Sequence, residues 1–470
     1  HYTPRAYVER LVLPTVIEPL RADWEAVRAA ALVHAQKGDL KSAGAEITRF
    51  HSKLCEVTVL DPACGSGNFL YVTLEHLKRL EGEVLDTAAG FGENLVLDLT
   101  THSVDPHQFL GLEVNPRAAS LAELVLWIGC LQWHFRTRGH AQPAEPVLKK
   151  FHNIQCRDAV LAWDGEPQPV RDERGEVVTV WDRRSYKTNL VTGRDVPDET
   201  KRVPLLSYLN ARPAEWPKAD YIVGNPPFLG KLKLRQDLGD GYAEALRASY
   251  PDVPDSADFV MYWWHKAAAL VREGRARRFG LITTNSLRQT FNRRVLLYHL
   301  DDLSLVFAVP DHPWVDTVDG AGVRIAMTVG VNGEHSGELR NVVAEAPDID
   351  GSSVVRFVAR AGRIAADLSV GTDVTSTTPL RANVLLASTG LILGGRGFVV
   401  TEGQARHFIS RNGEAKRLLS PIRNGDDVTG TCRNYWVIDT HGWSDVELRK
   451  EVPEIYQHLY DTVYAERQSN

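Results

Sequence analysis

Short apolar segments alternate with longer amphipathic ones through the middle of the chain, and this alternation limits the fold more than any other feature. "EVTVLD" (56–61) leads through a glycine pair into "NFLYVTLEHLKRLEGEVL", and "QFLGLEV" (108–114) leads into "PRAASLAELVLWIGCLQWHF". "FHNIQC" (151–156), "ADYIVGN" (219–225), "RFGLITTN" and "LSLVFAVP" continue the series, with "SADFVMYWWHKAAALVREG" and "LRQTFNRRVLLYHL" as the later helices. At each step a strand-like apolar run gives way to helical spacing. Strands joined by helices imply right-handed crossovers, so the chain reads as α/β, with a doubly wound, mostly parallel sheet covered on both faces.

Residues 22–52 are Ala-rich with helical spacing and one Gly-Asp break, which predicts two helices before the first strand. Asp164 to Pro217 is polar, charged and Pro-rich between two strands, and reads as an insertion. After about Gly330 the alternation stops, and "GELRNVVAE", "SSVVRFVA" and "GFVVTEGQ" predict strands of a further domain. The expected organisation is an N-terminal helical segment (1–55), a main α/β domain (56–332) with its insertion at about 164–217, and a strand-containing C-terminal domain (335–470).

A chain of 470 residues has room for two or three domains with cores of their own. Apolar residues at 43% and charged residues at 24% exclude a disordered chain. No run of about 18 apolar residues is present and "HYTPRAYVER" lacks a signal-peptide layout, so a cytoplasmic protein without a membrane partner is expected. The five cysteines have no CxxC spacing, which predicts reduced thiols and no metal site. A first residue other than Met and an end, "YAERQSN", directly after a helix-like stretch suggest a piece of a longer protein. The net charge of −6 excludes a uniformly basic coat but allows a local basic surface. Between Val271 and Arg294 seven arginines, Arg288 and Arg293 among them, face one acid, Glu273; this run reads as a phosphate-contacting surface over the alternative of a solvated helix face.

"VLDPACGSGNFL" (59–70) sets a strand, an acid, a tight glycine turn and a helix start in order. In an open parallel sheet that turn borders the ligand crevice, where Gly65 and Gly67 permit close approach of a ligand to the backbone. A dinucleotide loop needs a third glycine where Leu70 stands, and a Walker loop needs Gly-Lys-Ser/Thr. Glu113 ends the next strand, placed to accept from two ribose hydroxyls, although it lies farther from the loop than the usual ~20 residues. Asp158 follows the third strand, where a carboxylate can accept from an adenine amine. A nucleoside pocket without a phosphate clamp points to S-adenosylmethionine.

"YIVGNPPFLG" (221–230) then ends an apolar strand in Gly-Asn and stiffens the next turn with two prolines. Pro226 and Pro227 lock φ and leave carbonyls free to accept hydrogen bonds, with Phe228 beside them. "KLKLRQ" adds Lys231, Lys233 and Arg235, candidates for phosphate contacts. The aromatics Tyr262, Trp263 and Trp264 read as core, and "DHPWV" (311–315) as a segment at the rim of the base pocket.

With these residues in view, the chain resembles the amino-methylating DNA methyltransferases of gamma-type motif order. More narrowly it resembles MmeI-like, type IIG or IIL restriction–modification enzymes and related phage-defence methyltransferases of DISARM and BREX systems. The resemblance covers residues 1 to about 330 and implies a Rossmann-like class I methyltransferase sheet followed by the start of a target-recognition domain. "HYTPRAYVERLV" matches the family's Tyr-Thr-Pro motif, implying that Tyr2, Thr3 and Pro4 lie near the methionine end of the cofactor. "DPACGSGNFL" matches the glycine-loop motif, with Asp61, Ala63, Gly65 and Gly67 lining it. "GNPPF" matches the catalytic motif, which implies that Asn225 and the Pro226 carbonyl accept from the amine of a flipped adenine while Phe228 stacks on the base.

The implied function is sequence-specific methylation of adenine in double-stranded DNA, with nuclease or other defence-system subunits as further partners. "PDETK" (197–201) lacks the spacing of a nuclease centre, and no MmeI-like nuclease or connector is expected ahead of the first motif. Two alternatives stand beside this reading: methylation of a protein glutamine amide, which uses an NPPY-like motif, and a non-catalytic or partner-dependent sensor within a defence complex.

Overall fold

A computed structural model describes residues 3–91, 95, 99, 102–138, 153–188, 195–314, 323–347, 353–371, 380, 382 and 393–464. The chain divides into two compact units, one of His1–Val178 with Pro204–Thr377 and one of Thr179–Val203 with Thr378–Asn470.

The first unit is built on a nine-stranded mixed sheet. Its strands are β1 (Val59–Asp61), β2 (Phe109–Glu113), β3 (Ile154–Cys156), β4 (Tyr221–Gly224), β5 (Arg278–Thr284), β6 (Leu303–Pro313), β7 (Arg324–Asn332), β8 (Gly337–Pro347) and β9 (Ser353–Gly362). Their spatial order is 9-8-6-7-5-4-1-2-3. β1 to β5 run parallel, while β7 lies antiparallel between β5 and β6. The six strands expected from the alternation are present, in the doubly wound arrangement.

Successive residues of the central strands face opposite sides, as the two-residue strand period requires. Leu60 and Ile222 enter one core cluster with Met261 and Trp264, whereas Val59, Tyr221 and Val223 enter the other with Leu11, Trp24 and Leu77. Both faces of the sheet are therefore buried, which explains why β4 is apolar throughout. The helices on these faces include α1 (Arg5–Val12), α2 (Glu18–Gln36), α3 (Leu40–Glu56) and α4 (Asn68–Ala89). The Gly-Asp break separates α2 from α3, with the Asp39 carboxylate accepting from the Ser42 N–H as a cap. α5 (Pro116–Arg138), α6 (Lys231–Leu238), α7 (Asp240–Ser249), α8 (Val260–Arg272) and α9 (Thr290–His299) follow.

Two expectations need correction. "GELRNVVAE" and "SSVVRFVA", assigned above to a domain beginning at 335, form β8 and β9 and extend the main sheet, β8 pairing in parallel with β6 at Phe307↔Glu338 and Ala308↔Leu339. Their short alternating pattern is the same in an added edge pair as in a separate domain, so the sequence signal does not discriminate. "GFVVTEGQ" is also only briefly a strand: Val399–Val400 joins a three-stranded sheet, and Thr401 then caps a helix over Glu402–Arg411.

The insertion is a β arm. In the first unit Leu161–Ala162 pairs with Arg212–Pro213 at the base of the arm and Gln168–Pro169 with Leu206–Ser207; the residues between carry the ladders of Thr179–Trp181 with Arg202–Pro204 and of Tyr186–Thr188 with Asp195–Pro197. "PDETK" falls in the turn between two of these ladders, where Asp198 accepts from the Thr200 hydroxyl. Among the described residues, no helix is long and apolar enough to cross a membrane.

Candidate active site

The C-terminal ends of the parallel strands bring most of the candidates to one edge of the sheet: Asp61 ends β1, Glu113 ends β2, Asp158 follows β3 and Asn225 follows β4. Ligands bind outside such strand ends in open α/β sheets.

The glycine loop turns directly above β1. Gly65 and Gly67 have φ of +54° and +85°, which a side chain would strain, and a Cβ on Gly67 would lie 3.1 Å from Ala122 of α5. The Cys64 N–H donates to the Leu112 carbonyl and the Gly65 N–H to Glu113 Oε2, pinning the loop to β2. α4 starts at Asn68 with no side chain capping its N-terminus. Trp263, predicted as core and buried, donates its indole N–H to the Pro62 carbonyl and supports the loop from behind.

Asp61 is buried, one carboxyl oxygen accepting from the Ala63 N–H and the other, Oδ2, having no partner among the described residues. Burial pushes its pKa up to about 8, with the Glu113 charge adding to the effect. It also lies against the catalytic-motif strand: a Cβ on Gly224 would approach Asp61 Oδ1 to 2.6 Å, so only glycine fits immediately before Asn225.

Glu113 accepts from the Gly65 and Asn115 N–H groups, one on each oxygen. Asp158 is more fully engaged: Oδ1 accepts from the Val160 and Leu161 N–H groups, and Oδ2 from the Tyr242 hydroxyl at 2.7 Å. Burial first and the Asp158 charge second raise the Tyr242 pKa far above its ordinary value, so the hydroxyl keeps its proton and donates. Asp158 Oδ2 retains one lone-pair site for an amine.

Asn225 is half-buried. Its Nδ2 donates to Thr3 Oγ1 at 3.1 Å, and its Oδ1 is buried with no partner among the described residues. Thr3 is itself held by Asn68, whose Nδ2 donates to the Thr3 carbonyl at 2.6 Å. Residues from the first motif, the glycine-loop helix and the NPPF segment thus meet at Thr3, Asn225 on its hydroxyl and Asn68 on its carbonyl. Tyr2 lies outside the described residues. Phe228 is half-buried and packs against both core clusters, next to the exposed Pro227.

The basic candidates divide. Lys231, Lys233 and Arg288 are exposed and Arg293 is half-exposed; none has an ion-pair partner among the described residues. Arg235 differs from the expectation: it is paired with Asp240 at 2.6 Å and with Glu244, joining α6 to α7, so its charge is already neutralised. Much of the arginine run is likewise structural, since Arg277 faces Asp220, Arg275 faces Glu273 and Arg278 donates to the Pro14 carbonyl. "DHPWV" also serves mainly as a support. Tyr7 donates to the Pro313 carbonyl, Arg10 bonds the buried His312 ring, and Asp311 accepts from Asn285 and Arg324; Val315 lies outside the described residues.

Sequence reading missed Asp258. Its carboxylate accepts from Ser286 Oγ and Asn292 Nδ2, its N–H donates to Asn292 Oδ1, and the next N–H, of Phe259, donates to the Leu229 carbonyl. This knot ties the segment after the catalytic motif to the segments bearing Arg288 and Arg293. No local motif marks it, because its three parts, around Leu229, Asp258 and residues 286–292, are about 30 residues apart in the chain.

Another cluster, His51, Cys55 and Glu81, has ligand atoms close enough for a metal ion. The Lys78 ammonium already sits 3.0 Å from Glu81, and a buried cation there repels a second one.

A model of the family "MmeI, DNA-methyltransferase domain" matches residues 35–342, more than half of the chain. The chain belongs to this family. DNA methyltransferase A of Bacillus subtilis (strain 168) is 23% identical over 287 residues, which is 59% of this MmeI-family chain and 27% of that protein. The solved type IIL restriction-modification enzyme MmeI, in complex with DNA, shares its fold with a TM-score of 0.57 at 21% identity, over 100% of this chain and 56% of that one. The chain therefore spans about half of the solved relative and about a quarter of the curated one.

Proposed function

We propose that this chain is the methyltransferase portion of a DNA-modification enzyme of restriction–modification or phage defence, transferring a methyl group from S-adenosylmethionine to the exocyclic amine of a flipped adenine. One observation carries the reading: immediately beyond a parallel strand, Asn225 presents a buried carbonyl oxygen that has no partner among the described residues. An unpaired buried acceptor costs free energy until a donor arrives, and an adenine amine is such a donor.

The neighbouring residues fit the cofactor. Asp61 Oδ2 is a buried acceptor without a partner, and a Cβ at Gly65 would meet open space. Tyr2, Thr3 and Pro4 are assigned to the methionine end, Asp61, Ala63, Gly65 and Gly67 to the loop around it, Glu113 to the ribose hydroxyls and Asp158 to the adenine amine. S-adenosylmethionine, when bound, supplies an electrophilic methyl group on a sulfonium sulfur.

The amine of adenine is a poor nucleophile because its lone pair is delocalised into the ring. Asn225 Oδ1 and the Pro226 carbonyl each accept one amine hydrogen, which localises the lone pair and orients it; the new C–N bond forms as the methyl's bond to sulfur breaks, leaving a neutral thioether, and one amine proton then passes to solvent. Pro226 and Pro227 hold the acceptors rigid, so the gain comes from preorganised position and electrostatics. Phe228 stacks on the extruded base, returning roughly 1–3 kcal/mol of the unstacking cost. Lys231, Lys233, Arg288 and Arg293 contact phosphates around the gap, held by the Asp258 knot.

The test is transfer of labelled methyl groups to mixed-sequence duplex DNA. The protein should label adenine, and Asn225→Ala should lower the rate by about a hundredfold or more. Calorimetric binding of the cofactor with no label on DNA would reject an autonomous enzyme in favour of the sensor reading.

A further inference from the structure

Thr3 belongs to a motif expected to serve the cofactor, yet the contact its hydroxyl makes is with the catalytic-motif amide. Asn225 Nδ2 donates to Thr3 Oγ1 at 3.1 Å. Thr3 is buried, at 6% exposure, so water does not readily replace this partner. An Asn amide has one acceptor end and one donor end, and only the acceptor end suits an incoming amine. With Nδ2 bound to Thr3, the acceptor end is the one left open, and Oδ1 is indeed the buried atom without a partner.

We propose that Thr3 is a positioning residue that holds the Asn225 side-chain amide with its oxygen toward the substrate amine. The proposal rests on the methyltransferase reading above and adds a second role to Thr3. Asn68, the first residue of α4, fixes the Thr3 backbone through its carbonyl at 2.6 Å. The glycine-loop helix, Thr3 and Asn225 then form one chain of hydrogen bonds, so the order of the cofactor loop is transmitted to the group that receives the base. Without the hydroxyl, an amide that offers Oδ1 to the substrate loses the partner its half-buried NH2 has in Thr3, a penalty on the orientation the reaction needs.

Thr3→Val keeps the shape and removes the hydroxyl, whereas Thr3→Ser keeps the hydroxyl and removes a methyl. The expected result is that Val lowers kcat on DNA by about tenfold at saturating cofactor, with an unchanged melting temperature, and that Ser restores it. In an Asn225→Ser background, where the shorter side chain does not reach Thr3, adding Thr3→Val should cause no further loss. A readout free of turnover is the Asn225 side-chain amide in protein carrying ¹⁵N-asparagine: its NH2 should be protected from exchange in the parent and in Thr3→Ser, and exposed to exchange in Thr3→Val. Full activity and full protection in Thr3→Val would overturn the proposal, as would an undiminished loss in the Asn225→Ser background. If the parent protein transfers no methyl group to DNA, the methyltransferase reading fails, while the amide exchange still decides whether Thr3 holds Asn225.

Discussion

Asp61 and Glu81 are both buried carboxylates of the first unit, and they behave in opposite ways. Burial pushes Asp61 up to about 8, with one oxygen unpartnered. Burial acts on Glu81 in the same direction, but the His51 ring, the Lys78 ammonium and the Val104 N–H outweigh it and hold the carboxyl below its ordinary value. The second acid is finished by its own protein, through contacts between α3, α4 and the segment after α4. The first keeps one oxygen without a partner among the described residues, as the proposed cofactor contact requires. Burial alone therefore does not distinguish a structural charge from a binding one; the inventory of partners does.

The comparison breaks first at Lys78. Lys78→Met leaves Glu81 buried without its ammonium, and chemical denaturation should show a loss of about 3–5 kcal/mol. Asp61→Asn should behave differently, keeping the fold and weakening calorimetric cofactor binding by about tenfold, the value of one neutral hydrogen bond. The same variant gives the pH signature. The folded pKa of Asp61, about 8, lies above its ordinary 3.8, so the folded protein retains a proton that the unfolded chain releases between those values. This contribution to stability falls as pH rises from about 4 to about 8 and then levels off, and Asp61→Asn should remove it from denaturation curves across that window. The smallest effect belongs to the exposed Arg21–Glu83 pair, 2.9 Å apart on the same helical layer: Arg21→Ala should cost less than about 1 kcal/mol, and added salt should shrink the difference further.

Legibility in the sequence followed the distance over which each feature is encoded. The strands from "EVTVLD" to "LSLVFAVP" carry their period within a few residues, and the glycine loop and NPPF segment are contiguous, so their positions at the strand ends could be read in advance. The Thr3–Asn225 bond joins residues 222 positions apart and the Asp258 knot joins three separate segments, and no local pattern records either. Arg235 was misassigned for a related reason: a basic residue after a catalytic motif looks the same whether it faces phosphate or, as here, two carboxylates of its own neighbourhood. β8 and β9 were recognised as strands but placed in the wrong sheet, because alternation specifies a face and not a partner.

The base of the β arm has a consequence of another kind. Leu161↔Pro213 and Ala162↔Arg212 pair there, the Ala214 N–H donates to the Val160 carbonyl, and Trp216 donates to the Ala159 carbonyl at 2.6 Å. The chain leaves and re-enters the sheet through one sealed gate, just after Asp158 and just before the strand of Asn225. The entropy of closing a loop changes only slowly with its length, so material beyond the gate can be lengthened, shortened or exchanged at little cost to the strands behind it. Ala162 and Arg212, paired across this gate, are the two points at which such an exchange leaves the strands behind it in place.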